Sequence, residues 1–357
     1  MTRDTLLRAV HFDRPGHIPV VFHINLSCWD SYPREELAAL VENHPLLFPD
    51  GVPDFVQQGA ATPYPPWCRK DSPWTDPWGC VWETTVNGFI GMVTQHPLAG
   101  WKHFETYVPP DPGKTTHWYP VTWRKGEIPS GGSIGFFKCL PSSEIGHGHT
   151  FLKLIDLLGY EQTIYAMADN DPRIWKLLEM LEFFNQGLVE RFLTYAEVEL
   201  LGYAEDLGMQ RGPMISPDLF CSYILPSYRR IMEPAENQGA VIHMHSDGDI
   251  KALADHLLTL PIHVLNIQDR VNGLSWIAEQ LKGRVAIDLD IDRQHITPIS
   301  PPDELKAYIA DIIRMLADPA GGLMLTYGLY PGTPLENAEA LMDILESVIH
   351  GDLAWKN

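Results

Sequence analysis

Residues 285–316 read VAIDLDIDRQHITPISPPDELKAYIADIIRML, and this stretch decides the class of fold. Its opening, 285–291, is a short β-rich run of strand length. A polar loop follows. Ser300-Pro301 then places a capping side chain before a proline at the first helical position. Beyond it Leu305, Tyr308, Ile309, Ile312, Ile313 and Leu316 form one apolar stripe at helical spacing. Strand, loop and helix in that order make the repeating unit of a parallel α/β sheet. Working outward, further β-rich runs lie at 18–24, 52–56, 133–139, 198–204, 240–245, 263–268 and 322–327, most of them followed by a helical pattern. Asp171-Pro172, Ser216-Pro217 and Thr333-Pro334 repeat the helix-start signal, and Thr333 with Glu336 makes a capping box. Eight such runs predict an α/β protein of the (β/α)8 TIM-barrel type, although an open parallel sheet shares the pattern.

The rest of the chain bounds this reading. It has 357 residues, 45% apolar and 20% charged, enough for a large core and too hydrophobic for a disordered chain. Residues 60–130 are rich in Trp, Pro and Gly, as in Tyr64-Pro-Pro-Trp-Cys, and predict an inserted region of ordered loops and a hairpin. With an N-terminal extension before the first run and no flexible linker, residues 1–357 read as a single elaborated domain. Asp and Glu number 46 against 26 Lys and Arg, a formal charge of −20 that repels phosphate backbones and anionic lipid. Nucleic acid and membrane are therefore not expected partners. The charged opening residues, the lack of a long apolar run and five scattered cysteines (Cys28, Cys68, Cys80, Cys139, Cys221) fit a cytoplasmic protein with reduced thiols. There is no phosphate-binding glycine loop, Gly-x-Ser-x-Gly elbow or paired-cysteine zinc ribbon.

In any parallel α/β architecture the chemistry sits at the carboxyl ends of the strands. The fourth run ends in Tyr203-Ala-Glu-Asp-Leu-Gly-Met-Gln and the fifth in His243-Met-His-Ser-Asp-Gly-Asp. The sixth ends in Asn266-Ile-Gln-Asp-Arg, the seventh in Asp288-Leu-Asp-Ile-Asp-Arg and the eighth in Thr326-Tyr-Gly-Leu-Tyr. His243 and His245 share one face of a strand, with Asp247 continuing the row. With Glu205 or Asp206 from the neighbouring run they would make a nitrogen–oxygen set suited to zinc, unless one histidine is a hydrogen-bonded core residue. Glu205 and Asp206 are adjacent, so one can face the site while the other braces the loop. Glu205, Asp206 and Asp269 are candidate acids or bases. His147 and His149, in the loop Gly146-His-Gly-His-Thr, together with Gln210, Asn266, Asp290 and Tyr327, are candidate substrate contacts. Asp288, Asp290 and Asp292 alternate, so three like charges share an orientation and call for a cation or shared protons, with Asp292 beside Arg293 also readable as a salt-bridged loop element. The aromatic stretch 64–82 either covers the strand ends or lines a flat ligand pocket.

The residues also carry a resemblance. The opening Arg8-Ala-Val-His-Phe-Asp-Arg-Pro-Gly-His-Ile-Pro-Val, the segment Asp76-Pro-Trp-Gly-Cys-Val-Trp with Gly91-Met-Val and His96-Pro-Leu, and Glu205-Asp-Leu-Gly with Gly212-Pro-Met-Ile-Ser-Pro-Asp-Leu-Phe come in order. His245-Ser-Asp-Gly-Asp-Ile and Gly332-Thr-Pro-Leu-Glu-Asn complete the series. Together they resemble the uroporphyrinogen decarboxylase superfamily of barrels, which includes porphyrinogen decarboxylases and corrinoid-linked methyltransferases. Departures from the family pattern point to a branch. Where porphyrinogen decarboxylases carry an Arg-Gln-Ala-Gly-Arg loop, this chain reads Phe22-His-Ile-Asn-Leu-Ser-Cys-Trp-Asp, with no arginine for substrate carboxylates. Where thiol-activating members hold zinc with His-x-Cys and a later cysteine, His245 is kept, but Asp247 and Tyr327 replace the thiols.

What remains is similar to the substrate-side methyltransferases, which resemble O-demethylases of methoxylated aromatics. The resemblance implies methyl transfer from a methoxylated or methylamine-type donor to the cobalt of a separate corrinoid protein. Zinc or a general acid would stabilise the leaving group, with Glu205, His243, His245 and Asp247 as the ligand set. The corrinoid would belong to the partner. A porphyrinogen-type lyase, with Arg211, Arg270 and Arg293 as its only nearby cations, and a non-catalytic ligand-binding barrel are the competing readings.

Overall fold

The structure, a computed structural model, describes residues 1–126 and 139–351. Its parallel strands are β1 (Val20–Ile24), β2 (Ser142–Glu144), β3 (Leu200–Ala204), β4 (Val241–Ser246), β5 (Val264–Gln268), β6 (Ala286–Asp290) and β7 (Leu323–Leu329). Hydrogen bonds join β1-β7-β6 in one group and β2-β3-β4 in another. Six of the expected β-rich runs are thus strands. The run at 52–56 is not: Pro53 caps a short helix, Asp54–Gln57, in its place. Proline fixes φ and donates no hydrogen bond, so it starts a helix more readily than it joins a central strand. The described residues therefore carry seven parallel strands where eight were expected, and the run at 133–139 lies outside them save for Cys139.

The chain divides into two compact units. The first comprises residues 1–70, 86–89 and 266–357, and the second residues 71–85 and 90–265. In the first unit β7 pairs in parallel with β1 on one side and β6 on the other. One face of these strands is apolar and packed: Val20, Phe22, Ile287, Leu289 and Leu325 share it by register and are buried. Helix α5 (Pro302–Leu316) buries Leu305, Ile309, Ile312, Ile313 and Leu316, the stripe read from its spacing. This helix and α6 (Leu335–His350) each begin one residue later than expected, with Pro301 and Pro334 in the cap positions and no side-chain cap bond. Thr333 and Glu336 form no capping box there.

In the second unit β3 pairs in parallel with β2 and β4. Helix α2 (Phe151–Leu158) follows the His147–Thr150 loop, and α3 (Pro172–Tyr195) is capped by Asp171, whose carboxylate accepts from the Arg173 amide. Ser216 caps a short turn, Pro217–Leu219, that continues through a π-helical segment, Phe220–Ile224, into α4 (Leu225–Asn237). Pro226 has no N–H to return to the preceding turn, and a widened turn there accommodates the missing bond. The Trp-rich segment forms a three-stranded antiparallel sheet of Trp74–Thr75, Val81–Glu83 and Met92–Gln95.

That small sheet is anchored by charge. The Asp76 carboxylate accepts from the amides of Trp78 and Cys80, both at 2.9 Å, and from the Trp82 indole at 3.1 Å. Lys153 of α2, wholly buried, reaches Asp76 at 3.4 Å and Asp156 at 2.9 Å. Its ammonium lies 5.5 Å from the ring centres of both Trp82 and Trp118. Burial opposes the Lys153 charge, yet Asp156 and Asp76 outweigh it and hold the ammonium protonated. These tryptophans pack on a cation of the protein's own. Among the described residues no helix is long and apolar enough to cross a membrane.

Candidate active site

Strand alternation places the chemistry of the second unit. Register sets Gly202 beside His243 and Ala204 beside His245, so His243 and His245 share a face of β4. The chain leaves β3 through Glu205 and Asp206, whose side chains part company. Asp206 faces two imidazoles: its Oδ2 lies 3.3 Å from His147 Nε2 and its Oδ1 3.4 Å from His245 Nε2. The two rings are 5.8 Å apart, and one ligand atom from each of His147, Asp206 and His245 lies within 4.8 Å of the others. Asp247 is adjacent, with Oδ1 3.8 Å from His245 Nε2 and its amide donating to Asp206 Oδ1 at 3.0 Å. All four side chains remain partly exposed, so a small molecule can reach them.

Electrostatics in the cluster is mutual. Burial disfavours the charged Asp206, but hydrogen bonds and charge from His147 and His245 prevail and hold its carboxyl far below the usual range. Burial likewise works against a charged His147. The Asp206 carboxylate wins, and the His147 pKa is raised.

Glu205 turns the other way. It is fully buried, and its carboxylate accepts from the first amides of α2: Thr150 at 2.5 Å, Phe151 at 3.0 Å and Leu152 at 3.2 Å. An acidic group at a helix N-terminus satisfies donors that the helix itself leaves unpaired. Desolvation nevertheless dominates and raises its pKa to about 7. Glu205 therefore fixes the start of α2, and with it the His147 loop. His149 is also wholly buried; desolvation lowers its pKa well below the usual value, and its Nδ1 lies 2.7 Å from the Thr150 hydroxyl. His243, buried on β4, stands outside the three-residue cluster.

The two loops that bear the acids are stitched together. The Ser246 hydroxyl accepts from the Leu207 amide at 2.9 Å, Gly208 N–H donates to Asp247 O at 3.1 Å, and Asp249 N–H to Met209 O at 2.8 Å. At Gly248, with φ +81°, a Cβ would meet the Gly208 carbonyl carbon at 2.2 Å. The Ser-Asp-Gly sequence thus needs its glycine both for conformation and for backbone contact. Gln210 sits exposed at the turn between Gly208–Met209 and Gly212–Pro213.

The remaining candidates belong to the first unit. Asp269 is buried; its Oδ1 accepts from the Arg270 amide at 2.6 Å, and Oδ2 has no hydrogen-bond partner among the described residues. Asp288 accepts from the Thr326 hydroxyl at 2.6 Å, and Asn266 donates to the Asp288 carbonyl at 2.9 Å. Asp290 accepts from Arg293 at 2.6 and 2.8 Å, so this arginine is a carboxylate's partner. Asp292 instead caps the following turn through the amides of His295 and Ile296. The Tyr327 hydroxyl bonds to Thr297 at 2.9 Å, deep in the core. The three alternating aspartates therefore each bond to different groups.

Two features went unread in the sequence. Glu144, on β2, is buried with an unpartnered Oε2, and the Lys153–Asp156 pair lies on α2. Neither stands in a motif; a lysine at an apolar position of α2 was the one available signal.

An α/β protein with imidazole and carboxylate groups gathered after its parallel strands is the class that fold and site define. Residues 155–348 match the profile of the uroporphyrinogen decarboxylase (URO-D) family, and the chain belongs to that family. The match takes in Asp206 and His245 and begins just after His147. A uroporphyrinogen decarboxylase from Gloeobacter violaceus is 23% identical over 220 residues, 57% of this chain and 61% of the relative. The chain thus matches less than two thirds of that relative's length. Among solved structures, a methyltransferase from Methanosarcina mazei has the same fold, with a TM-score of 0.62 and 15% identity over 97% of this chain and 98% of that one.

Proposed function

We propose that this protein is a methyltransferase that passes a methyl group from a methoxylated aromatic or methylamine-type donor to the cobalt of a separate corrinoid protein. The observation that carries the reading is the shared Asp206 carboxylate between His147 and His245. Methyl transfer from oxygen or nitrogen is limited by a poor leaving group, and this cluster is built to steady one.

His147 Nε2 and His245 Nε2 approach the two oxygens of Asp206 at 3.3 and 3.4 Å, and one ligand atom from each residue lies within 4.8 Å of the others, close enough for a single ion to engage all three. Two imidazole nitrogens and one carboxylate oxygen are a zinc-type set with a position left for substrate. His147, His245 and Asp206 would hold the ion, which when bound supplies Lewis acidity to the heteroatom losing its methyl. Asp206 fixes both ring orientations. Where no ion is held, the Asp206 carboxylate favours the protonated form of His147, which then serves as a proton donor. Glu205 keeps the loop in place by gripping the α2 amides. The corrinoid and its cobalt are the partner protein's.

A uroporphyrinogen decarboxylase-type lyase is the second reading, favoured by the curated relative. Its substrate needs arginines for several carboxylates. Residues 22–30 contain none, and Arg34 is engaged by Asp30, Thr62 and two carbonyls. Metal analysis of the purified protein, with methylation of cobalt(I) followed by absorbance against a panel of donors, tests the proposal. One zinc per chain, lost in His245→Ala, and methylation of cobalt with at least one donor are expected. A metal-free protein that releases carbon dioxide from a porphyrinogen and methylates nothing refutes it.

A further inference from the structure

The register of the second unit carries an inference about the donor. Glu144 pairs with Gly202, and Gly202 with His243. Register partners in a parallel sheet point to the same face, so Glu144 and His243 flank a glycine that has no side chain. Two residues further along, the same face carries His245. Glu144 therefore belongs to the face that bears the His–Asp–His cluster. It lies close enough to His147 and to Tyr119 for its charge to act on both.

Glu144 is only 4% exposed, and its Oε2 has no hydrogen-bond partner among the described residues. A buried carboxylate oxygen without a donor is costly, and a charge costs more than a neutral group. The basic neighbour on which its charge acts, His147, already faces the Asp206 carboxylate through Nε2 at 3.3 Å. The buried lysine of this unit, Lys153, is already held by Asp76 and Asp156. A cationic ligand would complete this oxygen.

We infer that Glu144 is the counter-ion for a positively charged methyl donor, so that the site takes an N-methylated ammonium in preference to a neutral ether. This rests on the methyl-transfer reading above and narrows it. In the reaction the C–N bond breaks and its electron pair stays on nitrogen, which leaves as a neutral amine. The methyl group bonds to the partner's cobalt(I), which supplies the new bond's electron pair and is formally oxidised to cobalt(III). An ether would instead leave as an anion beside Glu144. Because positive charge fades from nitrogen as the methyl departs, Glu144 holds the ground state more than the transition state. It is a specificity residue, expressed in KM more than in kcat.

The test is calorimetric binding to the purified full chain. Choline is the probe and 3,3-dimethylbutan-1-ol its neutral carbon analogue. Choline is expected to bind and the analogue to bind at least about tenfold more weakly. Glu144→Gln should lower choline affinity about tenfold to a hundredfold, as expected for removing the counter-ion of a desolvated ammonium, and leave the analogue unchanged. Glu144→Asp, which keeps the charge, should retain most of the affinity and serves if the glutamine variant fails to fold. Equal binding of choline and its analogue, no choline binding, or an unaltered choline affinity in Glu144→Gln overturns the inference. Turnover of methoxylated aromatics without choline binding would sink this inference alone. Loss of cobalt methylation with every donor would sink the methyl-transfer reading, whatever choline does.

Discussion

Replacing Asp269 with asparagine should make the protein more stable, and increasingly so as pH rises. The carboxyl is buried, its Oδ2 has no hydrogen-bond partner among the described residues, and the Arg270 amide, at 2.6 Å, supports Oδ1. Desolvation, the largest cause, together with repulsion from Asp292 and Asp290, raises its pKa from 3.8 to about 7. At about 1.4 kcal/mol per pH unit, that rise amounts to about 4 kcal/mol. The folded protein keeps this proton where the unfolded chain has already lost it. Stability from the neutral carboxyl is therefore full below pH 3.8 and declines as pH climbs to about 7. Above that the loss is complete. The asparagine side chain is neutral throughout and of the same shape, with its oxygen still able to accept from the Arg270 amide. Urea unfolding of both proteins from about pH 4.5 to about pH 8 isolates the effect, since every other titration cancels in the difference. The variant should gain on the wild type by about 1.4 kcal/mol per pH unit up to about pH 7 and level off beyond. A difference that stays flat across this range, or falls, refutes the argument.

Two further substitutions probe the scaffold of the site. Gly248→Ala should destabilise the protein by about 2–5 kcal/mol, from the left-handed backbone and the contact with Gly208, and should also lower metal content because it parts the loops carrying Asp206 and Asp247. Urea unfolding and metal analysis measure both. Lys153→Met leaves Asp76 and Asp156 without their ammonium and should cost about 3–5 kcal/mol, read by urea unfolding at neutral pH. A smaller loss in the double variant Lys153→Met with Asp156→Asn would assign the cost to the stranded carboxylate.

Much of the fold was legible because periodicity is local. The stripe from Leu305 to Leu316 is the buried face of α5, and the β-rich runs at 198–204 and 240–245 hold β3 and β4. The run at 52–56 misled because a short apolar stretch does not distinguish strand from helix, and Pro53 tipped it toward helix. The helix starts at Pro302 and Leu335 were off by one residue, since a proline can stand in the cap position as well as after it. The site was legible in its residue types and not in its pairings. His243 and His245 look equivalent in sequence, yet Asp206 meets only the second. His147 reads as a loop histidine because nothing local shows that β3 delivers a carboxylate to it.

What the sequence determined by itself was the α/β class, the strand ends as the place for chemistry, and the acidic character of the surface. These follow from side-chain spacing and net charge, which need no knowledge of distant neighbours. Only the tertiary structure decided that Glu205 binds helix amides while Asp206 joins two histidines, and that Glu144 comes to the same face. Side-chain direction at a strand end depends on which loop packs against it, and hydrogen-bond partners lie about 40–60 residues apart along the chain. Register between strands, and not order along the chain, brings them together.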